Sequence, residues 1–296
     1  MNVTWYLFPE PIVLAVTGKD ARRYLNNRLS NDLRTLQPNE AARAAALTSK
    51  GRVEGLFTVF AESAESFLLA CDGGNREGVK AALAKFIVSD RVNVTDISAR
   101  AVVAHVAMES SQVRESVSPV AAERKLLCAR MRVSTVGSDV ILVTEAPIDG
   151  LHRLTELFGP ALSEESYNLL RIKQGVPVYP DEINEDVILS ECGVLDAVSF
   201  SKGCYVGQEV IERSDAIGRL PRALERIRLV GSGLISVGEQ VLNAAGEPIG
   251  KVLTSALDLD ATLLFALLRN GKYGRGDSVT CAGHAGEIMQ AEQVVQ

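Results

Sequence analysis

A chain of 296 residues, 47% hydrophobic and 23% charged, is too long for one small domain and too apolar for a disordered or fibrous protein. Its 31 basic against 37 acidic residues leave a net charge of -6, which argues against a broad nucleic-acid-binding face. The five cysteines (Cys71, Cys128, Cys192, Cys204 and Cys281) are odd in number and widely spaced with no C-x-x-C, which argues against a disulfide framework and against an intrinsic four-cysteine metal site.

A reducing compartment therefore fits best. No basic residue precedes Lys19, and Pro9-Glu10-Pro11 breaks the N-terminal apolar stretch, so neither a signal nor a transit peptide is expected. Apolar runs such as Leu263 to Leu268 fall far below the roughly 20 residues of a membrane span. The expectation is a cytoplasmic protein, monomeric or weakly dimeric, with no membrane partner and no direct nucleic-acid partner.

Along the chain, Ile12 to Val16 predicts a buried strand. Thr17 is expected to cap a helix, Asp20 to complete a capping box, and Ala21, Tyr24, Leu25 and Leu29 to form the apolar face. Ser49-Lys50-Gly51-Arg52 predicts a turn between two strand-like runs, the second being Leu56 to Phe60. A strand over Phe67 to Cys71 precedes a helix with Val79, Leu83, Phe86 and Ile87 inward. Strands near Val92 to Ile97 and Val102 to Met108 complete an order that suits a ferredoxin-like α+β module.

Residues 110 to 125 are polar and predict a surface excursion. Val140 to Thr144 predicts a strand, and Leu151, Leu154, Leu157 and Phe158 a helical face. Ser163 opens another helix carrying Tyr167 and Leu170 on one face, which Gly175 and Pro177 end. A short helix is expected to run through about Arg213. Composition changes near Pro221. Beyond it, Ile227 to Val230, Ile249 to Thr254, Leu263 to Leu268 and Ser278 to Cys281 alternate with glycine turns, which predicts a small β-barrel. Gly231-Ser232-Gly233 reads as a turn. Gly271 to Gly276 reads as a hairpin, because it lacks the strand–helix context of a phosphate loop. His105, His152 and His284 stand apart, without a partner at ligand spacing.

The chemistry concentrates at Lys202-Gly203-Cys204-Tyr205-Val206-Gly207-Gln208-Glu209, where a cation, thiol, phenol, amide and carboxylate share eight residues with two glycines. A loop–helix junction there would aim backbone N–H groups and Lys202 at one point and favour an anion. The same field would make Cys204 a better nucleophile and soft-metal ligand. The alternative is structural: Cys204 as a small buried apolar residue, with Gly203 and Gly207 shaping a turn.

This segment resembles the signature of YgfZ-type folate-binding proteins, relatives of the T-protein (aminomethyltransferase) of glycine cleavage. The similarity extends through Arg171-Ile172-Lys173-Gln174-Gly175-Val176-Pro177 and down to Arg213. It returns at Val16-Thr17-Gly18-Lys19-Asp20, Tyr24-Leu25, Ser30-Asn31-Asp32 and Lys50-Gly51-Arg52. The resemblance implies two T-protein-like α+β domains in a ring around a folate-binding opening, with a C-terminal β-barrel. The expected division is 1–48 with 161–222 as the folate-binding domain, 49–160 as the second α+β domain, and 223–296 as the barrel.

The resemblance further implies tetrahydrofolate or a derivative as cofactor and a role in making or repairing iron–sulfur clusters. The partners implied are iron–sulfur assembly proteins or client enzymes such as tRNA-modifying radical enzymes. Carried over residue by residue, Lys202 to Glu209 form the signature and Cys204 is its functional thiol, able to ligate a transient cluster; no intrinsic metal is implied. Tyr167, Glu191, Asn31, Asp32, Lys50 and Arg213 are the implied folate contacts. Two positions depart from the family: Pro11 stands near where a second folate-contacting aromatic is expected, and Leu189-Ser190 replaces the usual Pro-Gln before Glu191. The reading that follows is an accessory factor rather than an enzyme. The alternative is a folate-dependent aminomethyl or methyl transferase, with Asp32, Asp96 and Glu209 as candidate acids or bases; a third reading is a folate sensor or scaffold without chemistry.

Overall fold

The computed structural model describes residues 3–108, 112–113, 125–130, 138–143, 147–218, 220–231 and 233–290. Strand β1 (Trp5–Leu7) belongs to a four-stranded sheet with β7 (Ala101–Val106), β8 (Lys125–Arg130) and β9 (Ser138–Val143), in the order β1-β7-β9-β8. The five-stranded sheet is β3-β4-β5-β2-β6, from β2 (Ile12–Thr17), β3 (Ala41–Leu47), β4 (Val53–Ala61), β5 (Ser66–Cys71) and β6 (Asn93–Asp96). All pairings in both are antiparallel. The hairpin from β3 to β4 runs across residue 48, so one sheet holds both sides of that expected division.

The run Ile12 to Val16 is apolar throughout because both faces of β2 are covered. Successive side chains point to opposite faces: Ile12, Leu14 and Val16 enter the largest core, and Val13 the core between the two sheets. The four-stranded sheet is likewise covered twice, with Trp5, Val102 and Ala104 packed against Leu154 and Phe158 of α3 (Pro147–Phe158).

Helix α1 (Ala21–Arg28) starts later than its apolar pattern predicts. Thr17 does not cap it, because Thr17 ends β2 and the chain needs a left-handed step at Gly18 (φ 131°), where a Cβ would sit 1.9 Å from the Arg91 carbonyl oxygen. Asp20 occupies the cap position without a side-chain cap bond; its carboxylate accepts the Arg91 amide at 2.9 Å. Helix α2 (Arg76–Ala84) is capped by Asn75, which accepts from the Gly78 amide. It stops before Phe86, which is 44% exposed rather than inward, lying beneath the Arg28 and Lys85 cations.

Helix α4 (Glu164–Gln174) follows its sequence signals closely. Ser163 accepts from the Ser166 amide, and Gly175 closes the helix in the left-handed conformation. The six-stranded barrel β10-β13-β12-β11-β14-β15 closes as expected from β10 (Arg222–Val230), β11 (Gln240–Asn243), β12 (Pro248–Asp258), β13 (Ala261–Arg269), β14 (Ser278–Cys281) and β15 (His284–Ile288). Strands β11 and β15 lack an apolar run. Gly286 of β15 instead permits close pairing, since a Cβ there would meet the Arg228 oxygen at 2.3 Å. Most of the expected excursion at 110–125 lies outside the described residues, as does Ser232. No helix among the described residues is long and apolar enough to cross a membrane.

Candidate functional site

The signature occupies the loop leading into α5 (Gln208–Ile217). Lys202 does not face an anion. Its side chain is buried, and Nζ donates to the carbonyl oxygens of Asn26, Leu29 (2.7 Å) and Asn31 (2.7 Å). Those oxygens lie at and beyond the C-terminal end of α1, where the helix supplies no further donors and its dipole favours a cation. The lysine thereby ties the signature to the helix packed on the five-stranded sheet, and it lies 5.0 Å from the centre of the buried Tyr205 ring.

Cys204, two residues on, is free and exposed, unlike Cys71, Cys192 and Cys281, which are buried. Gly203 beside it faces open space. Gly207 is required: it sits at φ 86°, and a Cβ would come 2.6 Å from the Thr48 oxygen and 3.2 Å from the Gly51 Cα. Gly51 in turn would press a Cβ to 2.9 Å from Val210. The Lys50-Gly51-Arg52 turn and the signature are therefore two halves of one close contact. Gln208 accepts from the Tyr205 amide at 3.3 Å and donates to Glu212, closing the first turn of α5. Glu209 and Arg213 form an exposed ion pair at 2.7 Å along that helix.

The residues expected to contact folate fall into separate groups. Asn31 and Asp32 adjoin Lys202. The Asn31 amide donates to the Arg43 and Asp196 carbonyls, and hydrogen bonds from Arg34 hold the Asp32 carboxyl down to about 2. Lys50 is exposed on its turn and Arg213 on α5. Glu191 spends both oxygens inside the protein: Arg222 of β10 donates to each at 2.9 Å and the Ile188 amide to one at 3.1 Å. That carboxylate, expected to meet a pterin, joins its loop to the barrel instead.

Tyr167 is 3% exposed and stacks on Tyr6 of β1, with ring centres 3.9 Å apart and planes 3° from parallel; Phe8 meets its edge at 5.8 Å. Tyr6 and Phe8 escape a search for an aromatic near Pro11, although the cluster Trp5-Tyr6-Leu7-Phe8 was the available signal. Neither Tyr167 nor Cys204 lines the well-formed clefts of about 230 to 570 Å³ built around Arg222, Tyr179, Phe86 and Phe265. Among the expected folate contacts, the polar atoms of Asn31, Asp32 and Glu191 are engaged within the protein. We assign no folate contact to those atoms and route no step through a folate. Among the described residues no three of His, Cys, Asp and Glu gather to hold a metal.

No family model matches the chain. It is 25% identical over 224 residues to the tRNA-modifying protein YgfZ of Colwellia psychrerythraea, covering 71% of this chain and 67% of that one. It is 28% identical over 282 residues to the human mitochondrial iron–sulfur cluster assembly factor IBA57, covering 86% and 75%. The crystal structure of glycine cleavage system aminomethyltransferase T from Bartonella henselae superimposes with a TM-score of 0.82 at 14% identity, over 98% of this chain and 86% of that one. Sequence and fold converge on one likeness: the chain is similar in sequence to YgfZ-type proteins and to an aminomethyltransferase, and it shares the fold of aminomethyltransferase T.

Proposed function

We propose that this protein is an accessory factor for iron–sulfur cluster assembly or repair, that it binds tetrahydrofolate or a derivative, and that Cys204 is its functional thiol. The observation that carries the reading is the exposure of Cys204 on a loop anchored two residues away by Lys202. A cysteine kept for packing is buried, and burial pushes the thiols of Cys71 and Cys192 up to about 12. The Cys204 sulfur is open to a soft metal or to a sulfur donor. One thiolate cannot hold a cluster, so the other ligands come from a partner, from glutathione or from a second copy. The names of the relatives point to iron–sulfur assembly proteins or tRNA-modifying iron–sulfur enzymes as those partners.

In a strain lacking this protein, Cys204→Ala is expected to leave iron–sulfur tRNA-modifying activity at the level of the empty vector, read as the modified nucleoside in bulk tRNA. Full restoration by that variant would falsify the thiol's role. Folate is tested separately, by calorimetric titration of the purified protein with tetrahydrofolate and its formyl derivatives. Saturable binding is expected, and the absence of saturable heat removes folate from the reading.

The fold supports a second reading, a folate-dependent aminomethyl or methyl transferase. Its candidate acids are poorly set for proton transfer at neutral pH. Asp32 is held ionised by Arg34, Ser98 hydrogen bonds keep Asp96 below its ordinary value although burial opposes them, and Glu209 is exposed and paired with Arg213. Turnover of an aminomethyl or methylamine donor that survives Cys204→Ala would make this the preferred reading.

A further inference from the structure

The outer wall of the barrel concentrates positive charge in a way its fold does not require. Arg222 of β10 and Arg269 of β13 are directly opposed in the antiparallel register, so their side chains leave the same face. Like charges so placed destabilise a strand pair. The same face continues across two more strands. Leu267, two residues before Arg269, is opposed by Lys251 of β12, and Lys251 by Gln240 of β11. Arg222, Lys251, Arg269, Gln240, Leu267 and Gly238 line one cleft of about 370 Å³.

The charges in this cleft are unevenly answered. Arg222 is committed to Glu191 at 2.9 Å. Lys251 has only the exposed Asp186, at 3.8 Å. Arg269 is exposed on the cleft wall and makes no ion pair among the described residues. The Glu191–Arg222 pair shows how a carboxylate seats at this edge, gripped by both arms of a guanidinium. In a chain of net charge -6, so local a cationic face is set against the overall balance.

We propose that this cleft binds an oligoanion carrying at least two oxyanion groups, one gripped by the free fork of Arg269 and the other by Lys251, with the Gln240 amide beside them. Phosphoryl groups and a run of carboxylates share this chemistry, and Arg forks suit both. Cys204 does not line this cleft, and the proposal does not rest on folate.

The test is calorimetry on the full chain at low salt and at 0.15 M salt, with inorganic pyrophosphate and with tri-γ-glutamate as probes. One saturable site is expected for at least one probe, weaker at the higher salt, as screening demands. The better probe identifies the source as phosphoryl or carboxylate. Arg269→Gln and Lys251→Gln should each weaken binding at least about tenfold, the scale of one lost charge-assisted bond. Arg269→Gln should also keep or raise the thermal midpoint without ligand, because a repelling neighbour is gone. The proposal is overturned if neither probe saturates, if the double variant binds as well as the parent, or if weaker binding tracks a lowered midpoint in both single variants.

Discussion

Lys202→Met is expected to cost about 3 kcal/mol or more in stability, because three carbonyls lose their donor and each buried acceptor left unsatisfied costs about 1–3 kcal/mol. Methionine keeps the stem's volume, so the loss reports hydrogen bonding rather than a cavity. Urea unfolding measures it directly. Unchanged stability together with lost function would move the lysine from scaffold to chemistry. Titration adds a sign. Burial pulls the Lys202 ammonium down to about 8 from 10.5, with Asp32 opposing the shift and Arg34 adding to it. Between those values the unfolded chain keeps a proton that the folded protein has released. This group therefore makes stability rise with pH from about 8 to 10.5, and below 8 it contributes no slope. The parent should show that rise and Lys202→Met should lack it.

Glu182→Gln is expected to cost about 3–5 kcal/mol, the scale for breaking a buried ion pair by removing one partner. Arg171 is 0% exposed and donates to Glu182 at 2.7 Å, to Asn168 at 2.7 Å and to Asp181 at 3.3 Å. Glu182 also accepts from the Val178 amide at 2.9 Å and from Thr254 of β12. One carboxylate thus joins α4, the loop after it and the barrel. Removing it leaves the buried guanidinium only the half-exposed Asp181, at 3.3 Å, as counterion, beside Phe265 at 5.9 Å from the ring centre and with little water to solvate it. The double variant Arg171→Met with Glu182→Leu should lose less than the sum of its single changes, since no lone charge remains. Additive losses in urea unfolding would show that the two side chains act independently.

Both predictions turn on residues that the sequence marks and the structure reassigns. Arg171 lies in the segment that resembles the family upstream of the signature, yet nothing local identifies Glu182 as its counterion. Lys202 reads as an anion ligand when only its neighbours along the chain are considered. In the fold it is turned inward by carbonyls 171 to 176 residues away. Tyr167 reads as a ligand-facing ring, whereas a β1 strand of three residues, too short for a periodicity signal, brings Tyr6 flat against it. Glu191 reads as a solvated or ligand-facing acid until the barrel swings Arg222 onto it.

Features resting on backbone torsion and short-range pattern were legible from the residues alone. These are the unbroken apolar run of β2, the Ser163 and Gly175 ends of α4, and the glycine-punctuated barrel with most of its strands. The thiol-bearing motif was legible too, because its distinctive residues are contiguous. Only the folded chain settled which groups are consumed by structure and which remain open, leaving Cys204 exposed while Lys202, Tyr167 and Glu191 are engaged. Only the strand register set Arg222 opposite Arg269. The physical reason is the range of the forces: torsional preference and periodicity act over a few residues. Pairing of buried charges, rings and carbonyls is decided between segments far apart in the chain, where one residue of register decides which partners meet.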